Sequence, residues 1–501
     1  EVIFQQGVPP QAIYTFKHAL IQDAAYSSIL RKRLLDNHRT IGECFEKQFP
    51  QIVESKPALL AHHFTAAGVT DKAIQYWETA GKRSQASFAN IEAQSQFENG
   101  LKLLATLDES PERDQQELGF QLPLGTVMTM AGGWANPAVE KVHLRALELC
   151  QRIGEGSPIF HVTWGIWAWR LLRSELDIAH TMADDVLSLA DGRDDGYLME
   201  SCFSQACTGL FRGEFEKALE YFEKGMTLYD TDRCRFHAGI TGQNAGCTIL
   251  AHWAWGLWIA GFPEKAIETG RRGVELGKEL KDPFSEAFAV YHLGCVYQHC
   301  LMGKEARECG EAAIAIGQEQ GFGIWLALGM LCRGSGLVLE GERVERGVEL
   351  VKQGFDIFRG TGAELSLTHY HTVLAEGYMA SGRLEDARQT VDAGLDFVER
   401  CSERFHESNL HRLKGEILLA VSEDNSAAAI AEFDRAVEIA RSQKATSWEL
   451  RAAISLVQAQ KNDPQQQSQA CDLLEAAFQN FTEGFDTPDL IEAKSIIESR
   501  S

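Results

Sequence analysis

Proline is scarce: the chain holds 12 in 501 residues, none of them between Pro283 and Pro464. That excludes a collagen-like or proline-rich disordered chain, and 45% apolar residues are too many for intrinsic disorder. Positive charge is also short, with 48 Lys+Arg against 71 Asp+Glu and a formal net charge of −23. Nucleic-acid binding draws on a basic surface that releases condensed counterions, so no nucleic-acid partner is expected. The 12 cysteines are scattered without a C-x-x-C pair. This is no disulfide framework; reduced, buried thiols in a cytoplasmic protein are expected. No basic stretch followed by an apolar one opens the chain as a secretory signal would. The first residue is Glu1 rather than Met, which suggests a piece of a longer protein. Residues 236–263 carry no formal charge over 28 positions, yet they include His237, Gln243, Asn244, His252 and five glycines. Those interruptions favour a buried helix over a membrane span, and no membrane insertion is expected.

What the sequence does contain is a repeat. Leu374, Ala375, Tyr378, Gly382, Leu384, Ala387, Val391 and Gly394 follow a scheme also met at Leu293, Gly294, Tyr297, Ala306, Gly310 and Ala313. Leu60, Ala61, Phe64, Gly68, Ala73, Trp77 and Ala80 repeat it near the start. Small residues let two helices approach, bulky ones a turn away fill the gap, and Gly261 and Gly382 stand where a left-handed turn must end a helix. The pattern resembles the tetratricopeptide (TPR) repeat. Its key small residue recurs at Ala179, Ala218, Ala266, Ala306, Gly347, Ala387, Ala429 and Ala470, at spacings of 39, 48, 40, 41, 40, 42 and 41. The fold expected is all-α: a TPR-like α-solenoid of antiparallel helix pairs with a period of about 40 residues. The spacing of 48 locates an insertion near 230–246. No stretch alternates long enough to propose a sheet. Pro111, Pro123, Gly132-Gly133 and Pro137 predict an irregular repeat with a long loop over 101–145, and Phe485 to Leu490 predict a turn, capped by Asp or Thr, before a closing helix.

Three stretches carry a further resemblance: Phe16-Lys17-His18-Ala19-Leu20-Ile21-Gln22-Asp23-Ala24-Ala25-Tyr26, Arg412-Leu413-Lys414-Gly415-Glu416, and Thr482 to Leu490. They resemble the C-terminal TPR region of bacterial class III adenylate/guanylate cyclase-type signalling proteins, which carry a STAND/AAA-like ATPase module. The resemblance implies that residues 1–50 are the remnant of a winged-helix or linker segment following a missing ATPase module, and that 51–501 form the repeat domain. It also implies that catalysis lies upstream.

Motifs for chemistry are missing from the chain itself. The Gly-Lys pairs at 81–82, 277–278 and 303–304 are followed by Arg, Glu and Glu, so no P-loop hydroxyl is available for Mg²⁺. Gly334-Ser335-Gly336 reads as close helix packing. His62 and His63 are adjacent and diverge on a helix. His292, Cys295, His299 and Cys300 share a helix and could hold a soft metal, but the repeat register assigns that helix to packing. His369-Tyr370-His371 looks no better. No catalytic residue, cofactor or metal site is expected. Two tryptophan clusters are the strongest feature outside the repeat: Trp164, Trp167 and Trp169, and Trp253, Trp255 and Trp258. Packing between repeats explains them most simply. The functional alternative is a partner-binding groove, because tryptophans concentrate at binding hot spots. The function expected is a non-catalytic interaction and sensor module, taking a protein, peptide or small molecule in its groove and regulating an upstream ATPase and cyclase output. The alternative is the small-molecule-sensing solenoid of a STAND-type transcriptional regulator.

Overall fold

The few prolines are spent on starting helices. Eight of the 12 stand at the first position of a helix, where the missing N–H is not needed and the fixed φ is already helical. A computed structural model describes all residues except 1–2, 9–11, 19–20, 22–23, 25, 133–134, 155–157 and 500–501. Ala19, Leu20, Gln22, Asp23, Ala25 and Gly133, singled out above, lie outside the described residues.

The chain divides into two compact units, Glu1–Leu124 and Gly125–Ser501. In the first, β1 (Ile3–Gln6) pairs antiparallel with β2 (Ile13–Phe16), Ile3 opposite Phe16. Strands of four residues are too short for the alternation that would have revealed them. The helices α1 (Arg31–Gln48), α2 (Pro50–Ser55), α3 (Pro57–Ala66), α4 (Thr70–Ala86) and α5 (Asn90–Leu104) follow. Rings seat on glycines here: a Cβ at Gly81 would lie 2.3 Å from the Phe97 ring, and one at Gly100 would lie 2.1 Å from the Phe120 ring. Helix α6 (Pro111–Gly132) runs across the boundary between the units.

Among the described residues of 101–145, helices stand where a long loop was expected. Pro111 and Pro137 open α6 and α7 (Pro137–Ile153), and Pro123 sits inside α6, giving up one backbone bond without ending the helix. The second unit continues with α8 (Ile159–Leu172), α9 (Leu176–Leu189), α10 (Asp195–Arg212) and α11 (Phe215–Thr227). An extra short helix, α12 (Thr231–Thr241), occupies the expected insertion. Then come α13 (Ala245–Ile259), α14 (Pro263–Leu280), α15 (Pro283–His299), α16 (Gly303–Gln320), α17 (Gly323–Glu340) and α18 (Val344–Gly360). The chain closes with α19 (Leu367–Ala380), α20 (Leu384–Cys401), α21 (Glu407–Val421), α22 (Ser426–Gln443), α23 (Thr446–Ala459), α24 (Pro464–Phe478) and α25 (Pro488–Ser499). The eight small repeat residues are all buried, and all but Ala470 stand at the fourth position of the second helix of their pair. Gly261 and Gly382 take φ of 95° and 71°, as the sequence required, while Lys281, Ser402 and Lys444 make the same left-handed turn at other helix ends.

Several first helices of the pairs are buried nearly all round; α13 leaves only Trp253 and Leu257 partly exposed. That includes 245–259 of the uncharged stretch, which is core. Among the described residues one helix, α17, is long and apolar enough to cross a membrane, and 56% of it is buried. All-round burial has a cause: inside the second unit, one stretch of solenoid stacks end to end on another about 190 residues later. Leu172 O, at the end of α8, accepts from Glu364 N and Leu365 N at 2.8 and 3.0 Å, and Phe211 O in α10 accepts from Arg404 N at 2.8 Å. Trp258 O in α13 accepts from Ser447 Oγ, and His299 O closing α15 accepts from Arg451. Carbonyls that helix ends leave unpaired thus meet donors just before α19 and α21 and within α23. Glu403, fully buried, fastens the joint by accepting from Ser174 Oγ, Ser366 N, Thr368 N and Thr368 Oγ1 at 2.6–2.9 Å.

Of the stretches noted in the sequence, one packs within neighbouring repeats and one serves this closure. Gly415 lies under Phe433, where a Cβ would be 2.5 Å from the ring. Glu483 accepts from Lys265 N at 2.9 Å, Glu264 accepts from Gly484 N at 2.8 Å, and Asp489 pairs with Arg451 at 2.7 Å. Thr487 hydrogen-bonds back to Gly484 O and starts α25, the closing helix.

Candidate functional site

Where the two stacked stretches face each other, α8, α10, α13, α15 and α17 turn aromatic residues toward the segment 361–370. Between them lies a cavity of about 110 Å³ lined by Trp167, Phe203, Trp255, Phe288, Tyr291, Trp325 and Tyr370 among others. Its polar atoms are tied back into the wall: Trp167 Nε1 donates to Thr208 Oγ1 at 3.0 Å, Trp255 Nε1 to His292 O at 3.0 Å, and the Tyr291 and Tyr370 hydroxyls bond each other at 3.0 Å. His252 and His292 also line it, each holding a backbone carbonyl one helical turn earlier through Nδ1. Burial lowers both imidazoles, His252 to about 4 and His292 well below its ordinary value, so both are neutral at pH 7. The Trp325 indole N–H is buried and meets no partner among the described residues. Thr129 Oγ1, which also lines the cavity, is likewise buried without a partner among the described residues. An uncharged, aromatic-walled space with a free N–H and a free hydroxyl suits a small apolar molecule carrying one or two polar atoms.

The six tryptophans singled out in the sequence do not form one surface. Trp167 and Trp255 line the cavity. Trp164 packs on Trp167 with ring centroids 5.4 Å apart. Trp169 lies between the Arg170 and Arg173 guanidiniums, 4.8 and 5.0 Å from its ring, with Nε1 directed at Asn136 O. Half-buried Trp253 packs beside Cys247, Leu250 and Leu276. Trp258 stacks on His299 at 4.6 Å and meets Trp448 edge-on at 4.7 Å. Sequence alone gave no sign of Trp325, Phe288 or Tyr370 as companions of Trp255, because the cavity forms only when repeats far apart in the chain meet.

The histidines also redistribute. His292 stays at the cavity, whereas His299, one helix with it, points to His369 and His406. His371 bonds Leu367 O at 2.6 Å. In the first unit His62 and His63 are not a chelating pair; His63 Nδ1 hydrogen-bonds His38 Nδ1 at 2.8 Å. Gly334 and Gly336 are packing glycines, where Cβ atoms would lie 2.7 and 2.5 Å from the backbone of Gly347 and Arg307. A second, polar cavity of about 380 Å³ is lined by Arg412, Glu416, Arg451, Asp489 and Glu492, drawing two of the noted stretches to one place.

No family model matches the chain. An uncharacterised protein of Rhizobium meliloti (strain 1021) is 24% identical over 466 residues, covering 90% of this chain and 44% of that protein. The chain therefore spans less than half the length of this relative. The crystal structure of a Rap protein complexed with competence and sporulation factor superposes with a TM-score of 0.52 at 8% identity, over 77% of this chain and 100% of that one. The chain is a TPR-like helical solenoid. A STAND protein with a tetratricopeptide repeat sensor from Pyrococcus horikoshii gives a TM-score of 0.38 at 15% identity, over 78% of this chain and 56% of that one.

Proposed function

We propose that this chain is a regulatory sensor module whose ligand is a small, neutral, largely apolar molecule held in the aromatic cavity. The observation that carries this is the cavity itself: aromatic-walled, uncharged, and built where two stretches of solenoid meet. A ligand there binds the stacked arrangement and not an opened one, so occupancy shifts the balance between them by its differential affinity. The change would pass to an upstream ATPase module and an output domain, for which the resemblance suggests a nucleotide cyclase; the length of the R. meliloti relative leaves room for both. A second reading, a peptide or protein in the groove, is favoured by the Rap structure, which holds competence and sporulation factor.

Thermal shift against a panel of small aromatic and apolar compounds tests the first reading. Ala168 lines the cavity, so Ala168→Leu fills it. The wild type is expected to gain several degrees with a binder and the filled variant to lose that gain. If the panel gives nothing while a peptide library binds both proteins equally, the second reading replaces the first.

A further inference from the structure

Three histidines from separate parts of the second unit meet in its interior. His299 closes α15, His369 lies in the first turn of α19, and His406 immediately precedes α21. All three are at most 2% exposed, and one nitrogen from each lies within 4.8 Å of the others. Two of them have an outer nitrogen already held. His369 Nε2 faces Gln298 Oε1 at 3.2 Å, and His406 Nδ1 faces Thr372 Oγ1 at 3.2 Å. The inner nitrogens, His369 Nδ1, His406 Nε2 and both of His299, are buried and meet no partner among the described residues. An orphaned buried nitrogen costs about 1–3 kcal/mol, so several side by side need a common partner. An imidazole held on one nitrogen by an amide or hydroxyl oxygen, with the other left free beside two more imidazoles, is the arrangement that His369 and His406 share with a metal ligand and its supporting contact.

We propose that His299, His369 and His406 bind a divalent transition-metal ion of the zinc class through their inner nitrogens. Three metal–nitrogen bonds of about 2.1 Å in tetrahedral array set ligand atoms roughly 3.4 Å apart, so small rotations of the rings close the site. Burial keeps all three imidazoles neutral at pH 7, His369 down to about 3 and the others well below their ordinary value, as a ligand must be. No Cys, Asp or Glu joins the three among the described residues, which leaves the fourth position to water. Among the described residues Arg451 is the one cation close by, and Asp489 neutralises it at 2.7 Å while the Trp258 and Trp448 rings lie 4.9 and 5.5 Å from its guanidinium. His299 belongs to one stacked stretch and His369 and His406 to the other. The ion would therefore pin the stack together, independently of what fills the aromatic cavity.

The test uses the whole chain, stripped with chelator, dialysed against Zn²⁺ or Co²⁺ and freed of unbound metal. About one ion per chain is expected by elemental analysis, together with visible Co²⁺ bands of tetrahedral intensity and a raised melting temperature. His369→Gln and His406→Gln should abolish the bands, while His143→Gln, a buried histidine elsewhere, should keep them. Thr372→Val leaves every ligand in place and should weaken binding 10–100-fold. A folded wild type without bound metal or Co²⁺ bands overturns the proposal, as does unchanged binding in Thr372→Val together with either ligand variant. Should the ligand variants fail to fold, the wild-type spectrum and Thr372→Val still decide it.

Discussion

Glu200 offers the sharpest test of the buried core. It lies in α10 at 1% exposure, and its Oε1 meets no partner among the described residues. Desolvation alone raises its carboxyl to about 8 from an ordinary 4.5, so the side chain is a neutral acid at pH 7. The sign follows from proton counts. Between 4.5 and 8 the folded state binds the proton that the unfolded state has released, so stability falls as pH rises across that window. Each pH unit inside the window removes about 1.4 kcal/mol, or about 3 kcal/mol between pH 5 and pH 7. Glu200→Gln keeps the shape and cannot ionise. Its stability relative to wild type should therefore climb by about 3 kcal/mol from pH 5 to pH 7. The comparison cancels every other titrating group, since both proteins share them. Urea unfolding followed by circular dichroism at pH 5, 6 and 7 reads the difference. Infrared difference spectra should show a protonated-carboxyl band at pH 7 in the wild type that the variant lacks. A stability difference that stays constant across the three pH values, with no such band, would refute the assignment.

Three further outcomes follow from the same packing. Gly310→Ala places a Cβ 2.3 Å from the backbone nitrogen of Arg333 and should cost about 1–3 kcal/mol, whereas Gly360→Ala meets nothing within 4 Å and should be neutral or stabilise by up to about 1 kcal/mol; urea midpoints measure both. Glu403→Ala strips four donors of their buried acceptor and should cost about 3–5 kcal/mol, with amide exchange at Ser366 and Thr368 accelerating before the outer helices respond. His143, His161 and His252 sit near 4 through burial, so the unfolded state takes up protons first as pH falls below 6.5. Their contribution should be intact above 6.5 and drop toward pH 4 by about 1.4 kcal/mol per unit for each, seen as a falling melting temperature. The opposite slope of Glu200 offsets only one of the three.

Local pattern and distant contact differ in how far the sequence reveals them. Helix pairing is written locally: Ala306 faces a neighbouring helix within its own repeat, and Gly382 must turn left-handed whatever lies elsewhere. So the period and the insertion filled by α12 were visible. Pro123 misled because proline marks a break only when the helix cannot spare one backbone bond, and α6 can. What was illegible is the stacking of repeats about 190 residues apart. Nothing near Leu172 announces that its carbonyl will meet Glu364 N, and nothing near Trp255 announces Tyr370. The same reason hid the histidine cluster. His299 was grouped with His292 and Cys295 because they share a helix, yet its partners are 70 and 107 residues away, brought to it by the stack. In a solenoid a residue's sequence neighbours fix which helix face it occupies. Its chemistry is fixed by whatever the superhelix winds back against that face. Both candidate sites lie on those returning contacts, and a ligand or an ion there acts on the one feature of the fold that adjacent repeats do not determine.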